Sequence, residues 1–444
     1  MKEIEIAEQL LQEVLENKAE FLEVLKNTFK NQVELRPYRN TVAGLLGCEL
    51  RHHLLMEYLC KKFEGMNEQA KRFVYLGLAN NYYYKHLDAE AVRAFINSKL
   101  SKEEVELVAP LFDKAGGEKP EFIPEDVDRN SRLYLSLRYN APEWAIKILM
   151  HYGEHLTARI LRKYARPVAS TLRLRTSLAG EHALDGNEDF TPSKVPGIYC
   201  YQGHQSLRKN ELYRSGKIFM EKMLVKAIID ENLVEAPAEI LLYNGNKDCS
   251  FELELLETYG NKIGMNLACP EVDEKLDIKK ALKAEGLTNV NFFSAKDPTF
   301  MEADISHPQD LVFAVPNSTN FDKIPETPDY LLRFNTDEMD QILAQEKEVL
   351  EGCAKYVDVH GKLIYMIFTL SKKEGKATIV NFLKAHPEFK LLKQNEYFPF
   401  AEYETSAYVA VLEKVEETLT APSPLTDLAQ TISNPTYSAS AASK

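Results

Sequence analysis

The sequence predicts a multidomain chain: an all-α bundle, then an α+β connector, then an α/β domain around a mostly parallel sheet. Three observations carry this. At 444 residues the chain exceeds what one hydrophobic core organises. Before about residue 115 the apolar residues recur at helical spacing with no β alternation. From about 216 onward, short apolar runs alternate with helical stretches, the pattern of strands covered on both faces by helices.

Taken in order, Leu11, Val14 and Leu15, then Phe21, Leu25 and Phe29, set a helical period over residues 1–30. Val42, Leu45, Leu46, Leu50, Leu54 and Leu59 continue it from Tyr38 to Lys61. Further periods run from Gln69 to Tyr84, Ala89 to Asn97 and Glu103 to Phe112. Ala115-Gly116-Gly117-Glu118-Lys119-Pro120 breaks the bundle. A helix carrying the only tryptophan, Trp144, is expected from Pro142 to about Tyr164. A strand over Thr171–Arg175 and a loop-rich stretch over 178–215 come next. Ile218 to Ile229 reads as a helix. Strands are then expected at Glu239–Tyr243, Ile263–Ala268, Asn289–Phe293, Leu311–Val315 and Lys362–Ile367, with a long helix from Thr336 to Tyr356 before the last. The expected units are 1–125, 126–230 and 231–414. Residues 415–444 are rich in Ser, Thr, Ala and Pro, too polar to offset the entropy of ordering, and are expected to be a disordered tail.

With 45% hydrophobic and 27% charged residues, the composition is that of an ordinary globular protein. No apolar run approaches a membrane span and the N-terminus lacks a signal-peptide pattern, so a cytoplasmic location is the default expectation. The net charge of −13 argues against indiscriminate nucleic-acid binding. Yet Arg159, Arg162, Lys163, Arg166, Arg173 and Arg175 fall between Glu154 and Glu181 with no acid among them. Such a run suits either phosphate contacts or a solvated helix face. Cys48, Cys60, Cys200, Cys249, Cys269 and Cys353 form no CxxC pair, so no metal is expected and the thiols read as structural. His52-His53 lies on a helix without partner ligands and reads as a surface or helix-packing pair.

Several short segments, in order over roughly residues 1–414, carry a family resemblance. They are Asn140-Ala141-Pro142-Glu143-Trp144, Arg166-Pro167 with Leu172-Arg173-Leu174-Arg175, Val315-Pro316-Asn317-Ser318, Pro328-Asp329 with Arg333-Phe334, Leu343-Ala344-Gln345, and Gly361-Lys362-Leu363-Ile364-Tyr365. Together they resemble the RsmB/Nop (Sun/Fmu) family of SAM-dependent rRNA cytosine-5 methyltransferases with an N-terminal NusB-like domain. The resemblance implies a NusB-like bundle, an RNA-binding connector and a Rossmann-like class I methyltransferase domain. It also implies S-adenosyl-L-methionine as cofactor, ribosomal RNA as partner, and a possible protein partner for the bundle. By the same resemblance Arg166, Arg173 and Arg175 belong to the RNA-holding connector.

The family's chemistry requires an attacking cysteine, because a thiolate is the nucleophile most readily formed near neutral pH, and a second cysteine that aids release. By the resemblance, the attacking position holds Phe368 and the releasing position Asn317, and neither side chain performs that role. The cofactor loop is altered as well: Leu242 stands for an aspartate, Asp248 and Cys249 for the paired glycines, Ser250 for a lysine, and Ala314 for the loop aspartate. Gly245, Glu271 and Asp297 remain as degenerate cofactor-binding candidates. The expectation is an RNA-binding pseudo-methyltransferase with no catalytic residue. An active rRNA methyltransferase using other residues and a protein-interaction scaffold are the alternatives.

Overall fold

A computed structural model describes residues 1–416 apart from 64, 116–122, 167, 204, 237, 271–277, 280–281, 283–286, 296–304 and 306–307. The break expected at 116–120 and the tail from 417 lie outside the described residues, as do Glu271 and Asp297.

The N-terminal region is helical throughout, with helices at Lys2–Glu16, Phe21–Asn31, Arg39–Leu50, His53–Cys60, Glu68–Ala79, Ala89–Asn97 and Lys102–Ala115. Their apolar stripes meet in one core that includes Leu11, Leu45, Leu46, Leu50, Leu76 and Ile96. Asn67 and Asp88 cap two of the helices, each accepting from the backbone N–H three residues on at 2.8 Å. A buried Arg72 joins Glu8 and Glu16 of the first helix to the helix at Glu68–Ala79.

Two sheets follow. The smaller is antiparallel, with strands β1 (Thr171–Leu174), β2 (Phe190–Pro192), β3 (Ile198–Tyr201) and β4 (Ile218–Met220) in the order β2-β3-β1-β4. The larger has seven strands: β5 (Glu239–Asn244), β6 (Gly264–Cys269), β7 (Val290–Ser294), β8 (Gln309–Val315), β9 (Val357–Ile367), β10 (Phe389–Tyr397) and β11 (Ala407–Lys414). Their order is β10-β11-β9-β8-β5-β6-β7. The run from β9 to β7 is parallel and β11 is antiparallel to both its neighbours. Alternate residues feed two cores: Leu242, Phe313 and Ile364 on one face, Leu241, Val312 and Tyr365 on the other.

The strands expected in the α/β region stand where the apolar runs placed them, and three other expectations are corrected. The span Pro142–Tyr164 is two helices, Glu143–Leu149 and Glu154–Tyr164, because Gly153 at φ +82° turns the chain between them. Tyr38–Lys61 is likewise divided at Arg51–His52. Ile218–Ile229 does not begin as a helix. Its first residues pair with β1 as β4, and the helix starts at Met223. The hairpin of β10 and β11 was not anticipated.

The helical N-terminal region rests on the segment that leaves β8. Phe21 donates its backbone N–H to the buried Asp329 carboxylate at 3.1 Å, Lys18 reaches the Leu332 carbonyl at 3.1 Å, and Arg51 reaches the Pro325 carbonyl at 3.1 Å.

Candidate functional site

In an open parallel sheet, ligands bind outside the C-terminal strand ends where the strand order reverses. Here that point lies between β5 and β8, whose ends lead into Asn244-Gly245-Asn246 and Pro316-Asn317-Ser318. The two loops are in contact: Gly245 donates its N–H to the Val315 carbonyl at 2.8 Å. A Cβ on Gly245 would meet the Asn317 nitrogen at 2.7 Å and the Pro316 carbonyl carbon at 3.2 Å. The glycine is therefore required by loop-on-loop packing.

Asn244 organises the β5 loop. Its side-chain nitrogen donates to the Asp248 carbonyl and the Glu252 carboxylate, and its oxygen accepts from the Asn246 N–H at 3.0 Å. Asn246 is 4% exposed, and neither polar atom of its side chain has a partner among the described residues. Asp248 accepts from the Ser250 hydroxyl at 2.7 Å at the start of the helix Ser250–Tyr259.

The two positions expected to lack cysteine are both built into the cleft. Asn317 accepts from the Asn320 amide at 2.6 Å. Phe368, immediately after β9, is 3% exposed, and the Lys222 ammonium sits 3.9 Å from its ring centroid. Lys222 also pairs with Asp322 at 2.7 Å and lies 3.8 Å from Asp248. Burial works against its charge, yet Asp322 and Asp248 hold its pKa above the ordinary lysine value. Beside it, burial and the Glu254 and Asp248 charges push the Glu221 carboxyl well above the carboxylate range.

Behind the β8 loop, Glu374 accepts from both the N–H and the hydroxyl of Thr319 at 2.8 Å, and Thr319 bonds Thr369 at 2.7 Å. Glu346 is fully buried in the same neighbourhood. Burial and the Glu374 charge raise its pKa well above the ordinary carboxylate value.

The basic residues are sorted differently from the sequence expectation. Arg173 donates to Glu254 at 2.9 Å, and Arg175, 3% exposed, donates to Glu257 at 3.2 Å. The run lacks acids in sequence but not in space, so these two charges are engaged within the protein. Arg166 is exposed, as are Arg162, Arg208, Lys209 and Arg214, and none of these pairs with an acid among the described residues. His52 stacks on Tyr83 at 3.5 Å, His53 bonds Glu49 at 2.6 Å, and Cys353 is packed in the core.

Across 93% of its length the chain superposes on 98% of the structure solved as PH0851, with a TM-score of 0.69 at 19% identity. A methyltransferase homolog protein from Pyrococcus horikoshii matches 64% of this chain and 98% of its own, with a TM-score of 0.53 at 14% identity. NSun6 from the same organism, solved with SFG, matches 62% of this chain and 99% of its own, at 0.52 and 12%. The chain has a methyltransferase fold. No protein-family model and no curated protein matches the sequence.

Within this methyltransferase fold the described residues do not fit a SAM site. Gly245 faces the chain's own backbone instead of opening a cradle, the positions that the resemblance gives to paired glycines carry the side chains of Asp248 and Cys249, and the Asn246 amide is closed off. Sequence reasoning missed Lys222, Asp322 and Glu221. Lys222 was read as the middle of a helix, and nothing in its local pattern points to Phe368.

Proposed function

We propose that the chain is an RNA-binding relative of the RNA cytosine-5 methyltransferases that has given up methyl transfer, with ribosomal RNA as its target. One observation carries the reading. At the position where the resemblance puts the attacking cysteine, a buried Phe368 lies under the Lys222 ammonium at 3.9 Å. A phenyl ring cannot add to a pyrimidine. Asn317, at the releasing position, supplies no thiol either, and the loop geometry gives SAM no cradle.

The RNA-binding half of the reading is supported by Arg166, Arg208, Lys209 and Arg214, exposed cations that meet no acid among the described residues. Such charges bind phosphates in a salt-dependent way. The helical N-terminal region is read as NusB-like and offers a surface for a protein partner, and the setting is the cytoplasm. The test is a titration of small-subunit ribosomal RNA at increasing salt. Binding that weakens steeply with salt is expected, and binding no tighter than that of an acidic control protein would remove the reading. Co-purification of a protein partner after nuclease treatment, with no RNA affinity, would favour the scaffold alternative.

A further inference from the structure

A cavity of about 560 Å³ opens beside Asn317, between the segment after β8 and the helix Met339–Ala354. Phe368 and Lys222 are not among its walls. The volume falls within the range of small-molecule pockets.

Six lining side chains define its chemistry: Asn317, Tyr330, Arg333, Phe334, Gln341 and Gln345. The side chains of Gln341 and Gln345 bond no other described residue, and the Asn317 side chain uses only its oxygen, leaving its amide N–H₂ group uncommitted among the described residues. Each glutamine carboxamide presents a donor beside an acceptor, the pairing that matches the polar edge of a nucleobase, and Asn317 adds a donor. Two aromatic rings supply flat apolar surface. Phe334 is fixed by stacking on Trp144 at 4.8 Å, and Tyr330 is fixed by its hydroxyl, which donates to the Thr319 carbonyl at 3.0 Å. Rings held in this way suit base stacking, at little further cost in entropy.

The charge balance excludes a phosphate as the pocket's main ligand. Arg333 is committed through Nε to the buried Asp329, and Glu338 adds a carboxylate to the lining. The pocket is therefore close to neutral, rich in amides and partly aromatic.

We infer that this cavity is a noncovalent pocket for an unstacked nucleobase of single-stranded RNA. The inference rests on the RNA-binding reading above and adds where a base is read. Phosphates are held elsewhere, by the exposed cations of the connector.

The experiment uses the full chain and fluorescein-labelled RNA octamers of C, U or A, with an abasic ribose-phosphate octamer as the fourth probe. Anisotropy is measured over a salt series. The parent protein is expected to prefer at least one base-bearing octamer over the abasic one by about fivefold or more. The double variant Q341A/Q345A should bring that ratio to near one and leave the salt slope unchanged. Because Gln341 is exposed and Gln345 half-buried, this variant is expected to fold. Q345E, which keeps the size but removes the donor, serves as a second variant and should lower the same ratio. A variant neutralising Arg208, Lys209 and Arg214 should weaken all four octamers and flatten the salt slope. An unchanged base-to-abasic ratio in Q341A/Q345A and Q345E overturns the pocket while leaving RNA binding intact. If no octamer binds, the RNA reading itself fails. Calorimetry with cytidine and adenosine then decides the pocket: binding lost in Q345E supports it, and no binding overturns it.

Discussion

Asn246 and Glu346 show, residue by residue, what burying polar groups costs this domain. The Asn246 amide is closed off with neither polar atom bonded, an arrangement that costs about 1–3 kcal/mol per group. Replacing it by alanine removes that cost. We expect N246A to melt at the same temperature as the parent or higher, and a loss of more than about 2 kcal/mol would mean the amide has a stabilising partner. Glu346 tests the pH side of the same reasoning. Its folded pKa lies well above 4.5, so the native state keeps a proton that the unfolded chain has released. Stability from this group is full below about 4.5 and is lost as pH rises from there toward the raised value. Glu346→Gln keeps the shape without the titration. Its melting temperature should exceed the parent's by a margin that grows as pH rises above about 4.5, and parallel pH profiles would contradict the assignment. The resemblance assigns Phe368 and Asn317 to the two cysteine positions from the order of the flanking motifs. Lys222 over Phe368 was not legible, because contact between them is made by the fold and leaves no trace in local spacing.

At the level of elements, the segment following β8 links the helical N-terminal region to the cleft. Asp329, with a fully buried side chain, accepts from the Phe21 N–H and from Arg333. Breaking a buried pair leaves a charge without compensation and costs about 3–5 kcal/mol. We expect D329A to lose stability of that order and to speed proteolysis between the helices Lys2–Glu16 and Phe21–Asn31. A variant with unchanged melting and cleavage would show that the docking is incidental. The five parallel strands could be read from sequence because each carries a short apolar run, although β7, at the edge of the sheet, is only partly buried. The hairpin was harder. β10 (Phe389–Tyr397) is largely polar and only partly buried, so no apolar run announces it, although Ala407-Tyr408-Val409-Ala410-Val411-Leu412 in β11 gave a usable signal. Ile218–Met220 went astray for the opposite reason: pairing with β1 overrides a helical pattern that continues into the next helix.

For the whole molecule, a net charge of −13 works against indiscriminate polyanion binding, and the proposed RNA contact rests on the exposed cations of the connector. The sequence pointed to Arg166, Arg173 and Arg175, but two of these are answered by Glu254 and Glu257, 81 and 82 residues away. An acid-free run predicts free charge only if nothing folds back onto it, and here a helix does. In the proposed reading, the loss of methyl transfer is spread over several connected places. Phe368 lies under an ammonium, Asn317 is bonded to Asn320, Gly245 is packed on backbone, and Asp248 is bound to Ser250. Restoring one of them does not restore the set, so F368C is expected to cost about 3 kcal/mol by leaving a cavity, with no methyl transfer gained. The most direct test of the account is transfer of tritiated methyl from SAM to small-subunit RNA, at protein concentrations that saturate RNA binding. The account predicts incorporation no higher than with heat-denatured protein; label recovered at cytosine C5 would contradict it.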